Sequence, residues 1–127
     1  MKRNAHILLV GEKLMLRDVI RKSMENLGVN VWEAMDGLQM FGLLKNGLVP
    51  DVIVVRVGNA VNTAMMLPEM FLKVKAICPA VRLVAMCDSP LRQSMGAEQE
   101  GGFADAVLVS PFSMDKFRGT IQEMIVE

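Results

Sequence analysis

The 127-residue chain lacks several features that define whole classes of proteins. Its 14 basic and 14 acidic side chains cancel, so it has no cationic surplus for binding a nucleic-acid backbone. It also lacks a run of about 18 apolar residues, which a membrane-spanning helix needs. The apolar segment near the start is interrupted at Glu12, too early for a signal peptide. We therefore expect neither nucleic acid nor a membrane as a partner.

Sequence patterns of metal, redox and cofactor sites are missing as well. The chain has one histidine and no C-x-x-C or H-E-x-x-H spacing, which argues against a structural zinc site. Cys78 and Cys87 have no disulfide-framework spacing, which favours a reducing, cytoplasmic location. No glycine-rich phosphate loop occurs, and aromatic residues make up only 5% of the chain. We expect no cofactor, and a flavodoxin-like enzyme or cofactor carrier ranks last among the functional hypotheses.

Short apolar runs alternate with helical periodicity along the chain. With 52% hydrophobic residues the composition is globular, and we expect one domain over residues 1–127 with no output domain. Asp36 and Ser113 are predicted helix N-caps. Alternating strands and helices predict an α/β fold with a doubly wound parallel sheet. The predicted buried strands are 5–10, 29–34, 52–55, 81–87 and 106–109.

Further predictions concern the segments between the strands and two single residues, His6 and Trp32. Residues 58–63 are predicted to form a loop, followed by a helix from about Pro68 to Ile77 with the proline in its first turn. A weaker helix is predicted over residues 91–100. His6 is expected to be a hydrogen-bonded core histidine, and Trp32 to cover a sheet edge or helix junction.

Ligands of open parallel sheets bind beyond the carboxyl ends of the strands. The segments that follow the predicted strands are therefore the candidate site, and they are Gly11-Glu12, Arg56, Cys87-Asp88 and Ser110-Pro111. Asp51 precedes the third strand and lies about 16 Å from this end, at about 3.3 Å per residue.

The order of these motifs resembles the receiver domain of bacterial response regulators in two-component systems. The resemblance covers nearly the whole chain and is carried by residues 7–12, 33–37, 50–56 and 110–113. It implies a five-stranded sheet in the order 2-1-3-4-5. It also implies a role in phosphorelay signalling, with a histidine kinase, another regulator or a second copy of the chain as partner.

The receiver family uses a pocket of defined chemistry, which this chain has largely lost. The family has two acidic residues after strand one that hold magnesium, and a phosphoryl-accepting aspartate after strand three. It has a hydroxyl residue after strand four and a lysine before the proline after strand five. The resemblance maps these positions, in that order, onto Gly11, Glu12, Arg56, Cys87 and Ser110. Only Glu12 keeps its chemical type, so the chain looks like a pseudo-receiver.

Charge explains why these replacements are compatible with one another. The family pocket has a formal surplus of two negative charges, which a divalent cation neutralises, whereas Glu12 and Arg56 cancel without a metal. We predict an ion pair between them, worth about 4 kcal/mol at 4 Å before desolvation is subtracted. Glu12 should bind a metal weakly at most, and an arginine cannot form an acyl phosphate. The competing interpretation is a solvated Arg56 with an unrelated Glu12.

Several further positions follow from the resemblance. Cys87 and Val107 correspond to the family's switch residues, so the phosphorylation-linked switch is also expected to be missing. The Ser110–Pro111 peptide bond is expected to be cis. Met65 and Met66, with Val107 and Lys116, form a possible partner surface, although the methionines fit the core equally well.

The leading functional hypothesis is a non-enzymatic signalling module that acts by phosphorylation-independent protein–protein interaction. The alternative is a small-anion sensor that uses the vacated pocket around Arg56.

Overall fold

A computed structural model shows a single five-stranded parallel sheet flanked by helices. The structure describes residues 5–11, 17–25, 28–56, 61–87, 104–109 and 113–125. The strands are β1 His6–Val10, β2 Asn30–Ala34, β3 Val52–Arg56, β4 Arg82–Cys87 and β5 Ala106–Val109. The helices within these ranges are α1 Arg17–Glu25, α2 Gly37–Lys45, α3 Val61–Ile77 and α4 Met114–Ile125.

The strands follow the order β2-β1-β3-β4-β5, and every neighbouring pair is parallel. Both the α/β doubly wound fold and the strand order 2-1-3-4-5 are confirmed. Residues Ile7–Val10 of β1 and Val52–Val55 of β3 are all buried, as continuous apolar runs predict for strands covered on both faces.

The sheet separates two hydrophobic cores, because side chains of a strand point alternately to its two faces. On one face, Leu8 and Val10 of β1 pack with residues from α2 and α3. On the other, Ile7 and Leu9 pack with residues from α1 and α4. The large buried helical side chains are Met40 and Phe71 in the first core, and Met24, Phe117 and Ile121 in the second.

Both predicted helix caps are confirmed. Asp36 has extended backbone before α2, and its Oδ1 accepts a hydrogen bond from the backbone N–H of Gln39 at 2.9 Å. Ser113 Oγ accepts from the backbone N–H of Lys116 at 3.0 Å before α4. Each side chain satisfies an N–H that has no partner within the first turn of its helix.

The start of α3 was predicted wrongly. The helix begins at Val61, so residues 61–63 are helical rather than part of a loop, and Pro68 lies in the interior instead of the first turn. A proline has no N–H, so it cannot donate to the carbonyl of Ala64. Strong helix formers precede and follow it in the sequence, and the long helix continues past this one missing bond. The helix predicted over residues 91–100 lies outside the described residues.

The single histidine and the single tryptophan contact each other across β1 and β2. Trp32 Nε1 donates a hydrogen bond to His6 Nδ1 at 3.1 Å. His6 is half-buried, whereas Trp32 lies on the edge strand with 42% of its surface exposed. The predicted hydrogen bond of His6 is confirmed, but its predicted place in the core is wrong, because the residue is only half-buried. Trp32 lies on the edge strand of the sheet, one of the two places predicted for it.

Candidate functional site

The carboxyl ends of neighbouring strands place three of the predicted site positions side by side: Gly11, Arg56 and Cys87. Val10 of β1 pairs with Val55 of β3, so Gly11 and Arg56 are the next residues of these adjacent strands. Arg56 pairs with Met86 and is the last residue of β3. Arg56 was predicted to follow the third strand. It is instead the last residue of β3, because the hydrogen-bonded ladder to β4 continues one residue past the apolar run.

Gly11 has a backbone that suits glycine. Its N–H donates to the carbonyl of Ala34 at 3.0 Å, which extends the β1–β2 ladder by one residue. Its φ angle is 156°, at the extended limit of the positive region that residues with a Cβ rarely adopt. A carboxylate-bearing side chain at this position would strain the backbone.

The finer predictions for this pocket concern groups beyond the described part of the chain. Glu12, Ser110 and Pro111 lie outside the described residues, as do the side chains of Arg56 and Cys87. The Glu12–Arg56 ion pair and the cis peptide bond therefore stay predictions.

The predicted partner surface is described in part. Met65 and Met66 lie in the first half of α3, and their side chains fall outside the described part. Val107 of β5 is half-buried against the core, and Lys116 is exposed on α4. The structure thus places these residues on three different elements: the helix α3, the strand β5 and the helix α4.

The amino end of the sheet carries an aspartate between β1 and β3. Asp51 Oδ2 accepts from the backbone N–H of His6 at 2.8 Å, and its own N–H donates to the carbonyl of His6 at 2.8 Å. Its carbonyl accepts from the N–H of Arg82 at 3.0 Å. Asp51 therefore lies at the opposite end of β3 from Arg56, as predicted, and its carboxylate bonds the backbone of β1.

Asp105 has the same role between β4 and β5. Its Oδ2 accepts from the N–H of Leu83 at 2.7 Å, and its own N–H donates to the carbonyl of Leu83 at 2.7 Å. Lys75 Nζ lies 3.4 Å from Oδ2, and an Arg82 guanidinium nitrogen lies 3.8 Å from Oδ1. Lys75 Nζ also donates to the carbonyl of Val81 at 2.5 Å. The carboxylate therefore joins two strands and α3.

Sequence reasoning missed Asp105, although a signal was available. Asp51 and Asp105 each stand directly before an apolar strand run, Val52–Val55 and Ala106–Val109. In a parallel sheet this position lies beside the start of the neighbouring strand, where a short carboxylate reaches a backbone N–H. An aspartate immediately before a buried strand is the pattern that would have identified it.

Three features of the described part of the chain bear on metal binding, membrane insertion and thiol chemistry. Among those residues, no group of three or more His, Cys, Asp and Glu side chains is placed to hold a metal ion. None of the helices searched there is both long and apolar enough to cross a membrane. Burial raises the pKa of the Cys78 thiol, which lies in the core beside α3.

No family model matches the chain, and no curated protein matches it by sequence. Solved structures do match its fold. A response regulator from Thermotoga maritima superimposes with a TM-score of 0.76 at 17% identity, over 96% of this chain and 98% of that one. The chemotaxis response regulator CheY4 of Vibrio cholerae gives a TM-score of 0.74 at 22% identity, over 96% and 99%. An adenylate cyclase from Rhodopirellula baltica gives 0.77 at 21% identity, over 96% and 87%.

The chain therefore has the fold of response regulator receiver domains. At these identities the likeness shows the fold alone. The resemblance inferred from sequence is confirmed at that level, and function has to be argued from the carboxyl end of the sheet.

Proposed function

We propose that this protein is a receiver-type signalling module that acts by protein–protein contact without accepting a phosphoryl group. The observation that carries the proposal is the position of Arg56 at the end of β3, beside Gly11 at the end of β1. In the receiver family these are the places of the phosphoryl-accepting aspartate and of a magnesium ligand. Glycine has no ligand atom in its side chain, and arginine brings a fixed positive charge.

The reaction of the family needs a carboxylate that attacks phosphorus and a cation that stabilises the transferred group. A guanidinium cannot replace the attacking carboxylate, because it stays protonated and its nitrogens are not nucleophilic. Asp51 cannot substitute, since it stands at the amino end of β3 and its carboxylate bonds the N–H of His6. These facts support the loss of phosphoryl transfer.

Without phosphoryl transfer, the module can still act by binding other proteins through its surface. In this proposal residues 1–127 form one domain that acts in the cytoplasm by association, with a histidine kinase, another regulator or a second copy as its partner. The proposal assigns it no catalytic activity, and neither metal nor cofactor takes part.

The test is incubation with acetyl phosphate and magnesium, followed by intact-mass measurement. We expect the mass of the wild-type protein to stay unchanged. Arg56→Asp should gain magnesium binding, seen as chemical-shift changes near Gly11, because it returns a carboxylate to the end of β3. Lys45→Asp makes the same charge change at an exposed site and should bind no magnesium. A wild-type mass gain that hydroxylamine reverses would contradict the proposal.

The anion-sensor alternative is tested with the same protein. Titration with inorganic phosphate or sulfate should shift the amide of Gly11 if the guanidinium holds an anion, and Arg56→Gln should abolish the shift. We expect no saturable shift in the wild-type protein.

A further inference from the structure

The turn that ends α2 contains an asparagine followed by a glycine. Asn46 and Gly47 are both exposed, and Asn46 is the C-cap of the helix. Of the asparagines in the sequence, Asn46 alone precedes a glycine. An asparagine amide is chemically labile, and a following residue without a Cβ leaves the side-chain amide open to attack by the next backbone nitrogen. This pair is therefore where the reaction of an asparagine with its own backbone meets the least steric resistance.

Two backbone hydrogen bonds hold this turn closed. The N–H of Gly47 donates to the carbonyl of Leu44 at 3.2 Å, and the N–H of Leu48 donates to the carbonyl of Leu43 at 3.0 Å. Gly47 has a φ of 106°, in the left-handed region, and the two bonds form the Schellman pattern that ends many helices. The backbone nitrogen next to the asparagine is thus already a hydrogen-bond donor in the folded protein.

The backbone of Asn46 also keeps the two reacting atoms apart. Its ψ angle is 6°, so the nitrogen of Gly47 nearly eclipses the backbone nitrogen of Asn46. Substituents on a tetrahedral carbon are about 120° apart, so the Cβ that carries the amide is turned away from the Gly47 nitrogen by about that angle. A ring containing both atoms can close only after rotation about the Cα–C bond, which breaks the hydrogen bonds of Gly47 and Leu48. The closed turn therefore protects Asn46.

We propose that Asn46 is a site of spontaneous deamidation, and that opening of the turn at the end of α2 controls its rate. The nitrogen of Gly47 loses its proton to hydroxide and attacks Cγ of Asn46. As this N–C bond forms, the Cγ–Nδ2 bond breaks, and the side-chain nitrogen takes a proton from water and leaves as ammonia. Water then opens the cyclic imide at either carbonyl. The product is aspartate or isoaspartate, each with one new carboxylate.

Both products disfavour closure of the turn. A carboxylate at the C-cap lies at the negative end of the α2 dipole. Isoaspartate adds a methylene to the main chain, which shifts the N–H of Leu48 away from the carbonyl of Leu43. Leu44 is buried in the core, and Leu48 packs against that core, so the change reaches the packing beneath α2. Deamidation thus marks chains whose α2 has opened, and it goes beyond the proposed function because it needs neither a phosphoryl group nor a partner.

The main experiment follows the folded protein at mildly alkaline pH by ion-exchange separation and peptide mapping. We expect a slowly formed acidic species that is about 1 Da heavier at Asn46. The exposed Asn30 precedes the β-branched Val31 and should stay unmodified. Asn46→Gln should not form the species, since a glutamine closes a larger ring. An acidic species that maps elsewhere overturns the proposal, as does a folded protein without conversion at Asn46 during about a hundred half-lives of the urea-unfolded chain.

A second measurement tests control by the turn. We expect deamidation of the folded protein to be about 10- to 100-fold slower than that of the urea-unfolded chain, because local opening of the helix end has to precede ring closure. Low concentrations of urea should raise the deamidation rate in parallel with hydrogen exchange of the Leu48 amide. Equal rates in the folded and unfolded protein, or a rate that does not follow exchange at Leu48, would overturn control by the turn.

Two matched variants test the consequence for α2. Asn46→Asp supplies the carboxylate of the product and should speed hydrogen exchange of the Leu48 amide about two- to fivefold, because the new charge opposes the helix dipole. Asn30→Asp makes the same charge change at an exposed position on β2 and should leave exchange at Leu48 as in the wild-type protein. Equal exchange rates at Leu48 in the two variants would overturn the link between deamidation and the end of α2.

Discussion

The two ends of the sheet use charged residues in opposite ways. At the amino end, Asp51 and Asp105 each bond the backbone N–H of a neighbouring strand. At the carboxyl end, the family's acidic positions after β1 and β3 are occupied by Gly11 and Arg56. The carboxylates at the amino end bond the backbone of neighbouring strands, whereas in the proposed function the carboxyl end lacks the phosphoryl-accepting carboxylate. The number of aspartates in a receiver-like sequence therefore says nothing about phosphoryl transfer until it is known at which end of the sheet each aspartate lies.

The largest effect is expected at Asp105. Asp105→Ala removes the acceptor for the Leu83 N–H and the carboxylate beside Lys75 and Arg82, so it should lower the free energy of unfolding by about 3 kcal/mol. Asp105→Asn keeps an acceptor oxygen and should cost less. Urea denaturation measures both. Equal losses in the two variants would show that the hydrogen bond to Leu83 does not dominate.

Replacing Asp51, which joins β1 and β3 at the amino end, should lower the free energy of unfolding by less than replacing Asp105. Asp51→Ala takes the side-chain acceptor from the His6 N–H, with an expected cost of about 2 kcal/mol in urea unfolding. The variant should leave the response to acetyl phosphate and magnesium unchanged, because the side chain acts far from Arg56. A change in that response would contradict the separation of the structural role of Asp51 at the amino end from the chemistry at the carboxyl end.

At the carboxyl end, Gly11→Ala should destabilise the fold by about 1 kcal/mol, because a Cβ disfavours its φ of 156°. Gly42→Ala is the matched control. It lies within α2 with open space where a Cβ would stand, so alanine should stabilise the protein by about 0.5–1 kcal/mol. Thermal unfolding of the pair should shift in opposite directions. Shifts of the same sign would refute the backbone argument for Gly11.

The smallest effect concerns Cys78, which lies in one of the hydrophobic cores between α3 and β4. Burial raises the pKa of its thiol above the ordinary value of 9.0, so the folded state holds this proton more tightly than the unfolded state. The resulting stability is complete below pH 9.0 and is lost as pH rises through the folded-state pKa. Cys78→Ala should flatten this alkaline decline in urea midpoints. An unchanged slope would assign the decline to other groups.

The sheet was predictable from the sequence because its determinants are local. Continuous apolar runs such as Ile53–Val55 specify buried strands, and Asp36 and Ser113 mark helix starts that the structure confirms. The start of α3 was not predictable, since Pro68 in the sequence reads as a first-turn residue, while the helix extends seven residues before it. Local sequence patterns thus predict which strands and helices form better than they predict where each one begins and ends.

The functional details required knowledge of which strands are neighbours. Asp105 bonds a residue 22 positions away, and Arg21 reaches Val31 only because α1 lies against the edge strand. The sequence marks Asp105 as an aspartate directly before a buried strand, but it does not show which residue of a neighbouring strand that carboxylate bonds. Gly11 and Arg56 were found from sequence because ligands of open parallel sheets bind beyond the carboxyl ends of the strands, and the receiver resemblance then mapped the family's pocket positions onto them.

The bond between Trp32 and His6 makes one nitrogen of the imidazole an acceptor. An indole N–H can only donate, so His6 Nδ1 must carry a lone pair, and the neutral ring holds its proton on Nε2. The chain contains one tryptophan and one histidine. Because the bond joins β1 to the edge strand β2, the fluorescence of the sole indole should report whether these two strands remain in register at His6.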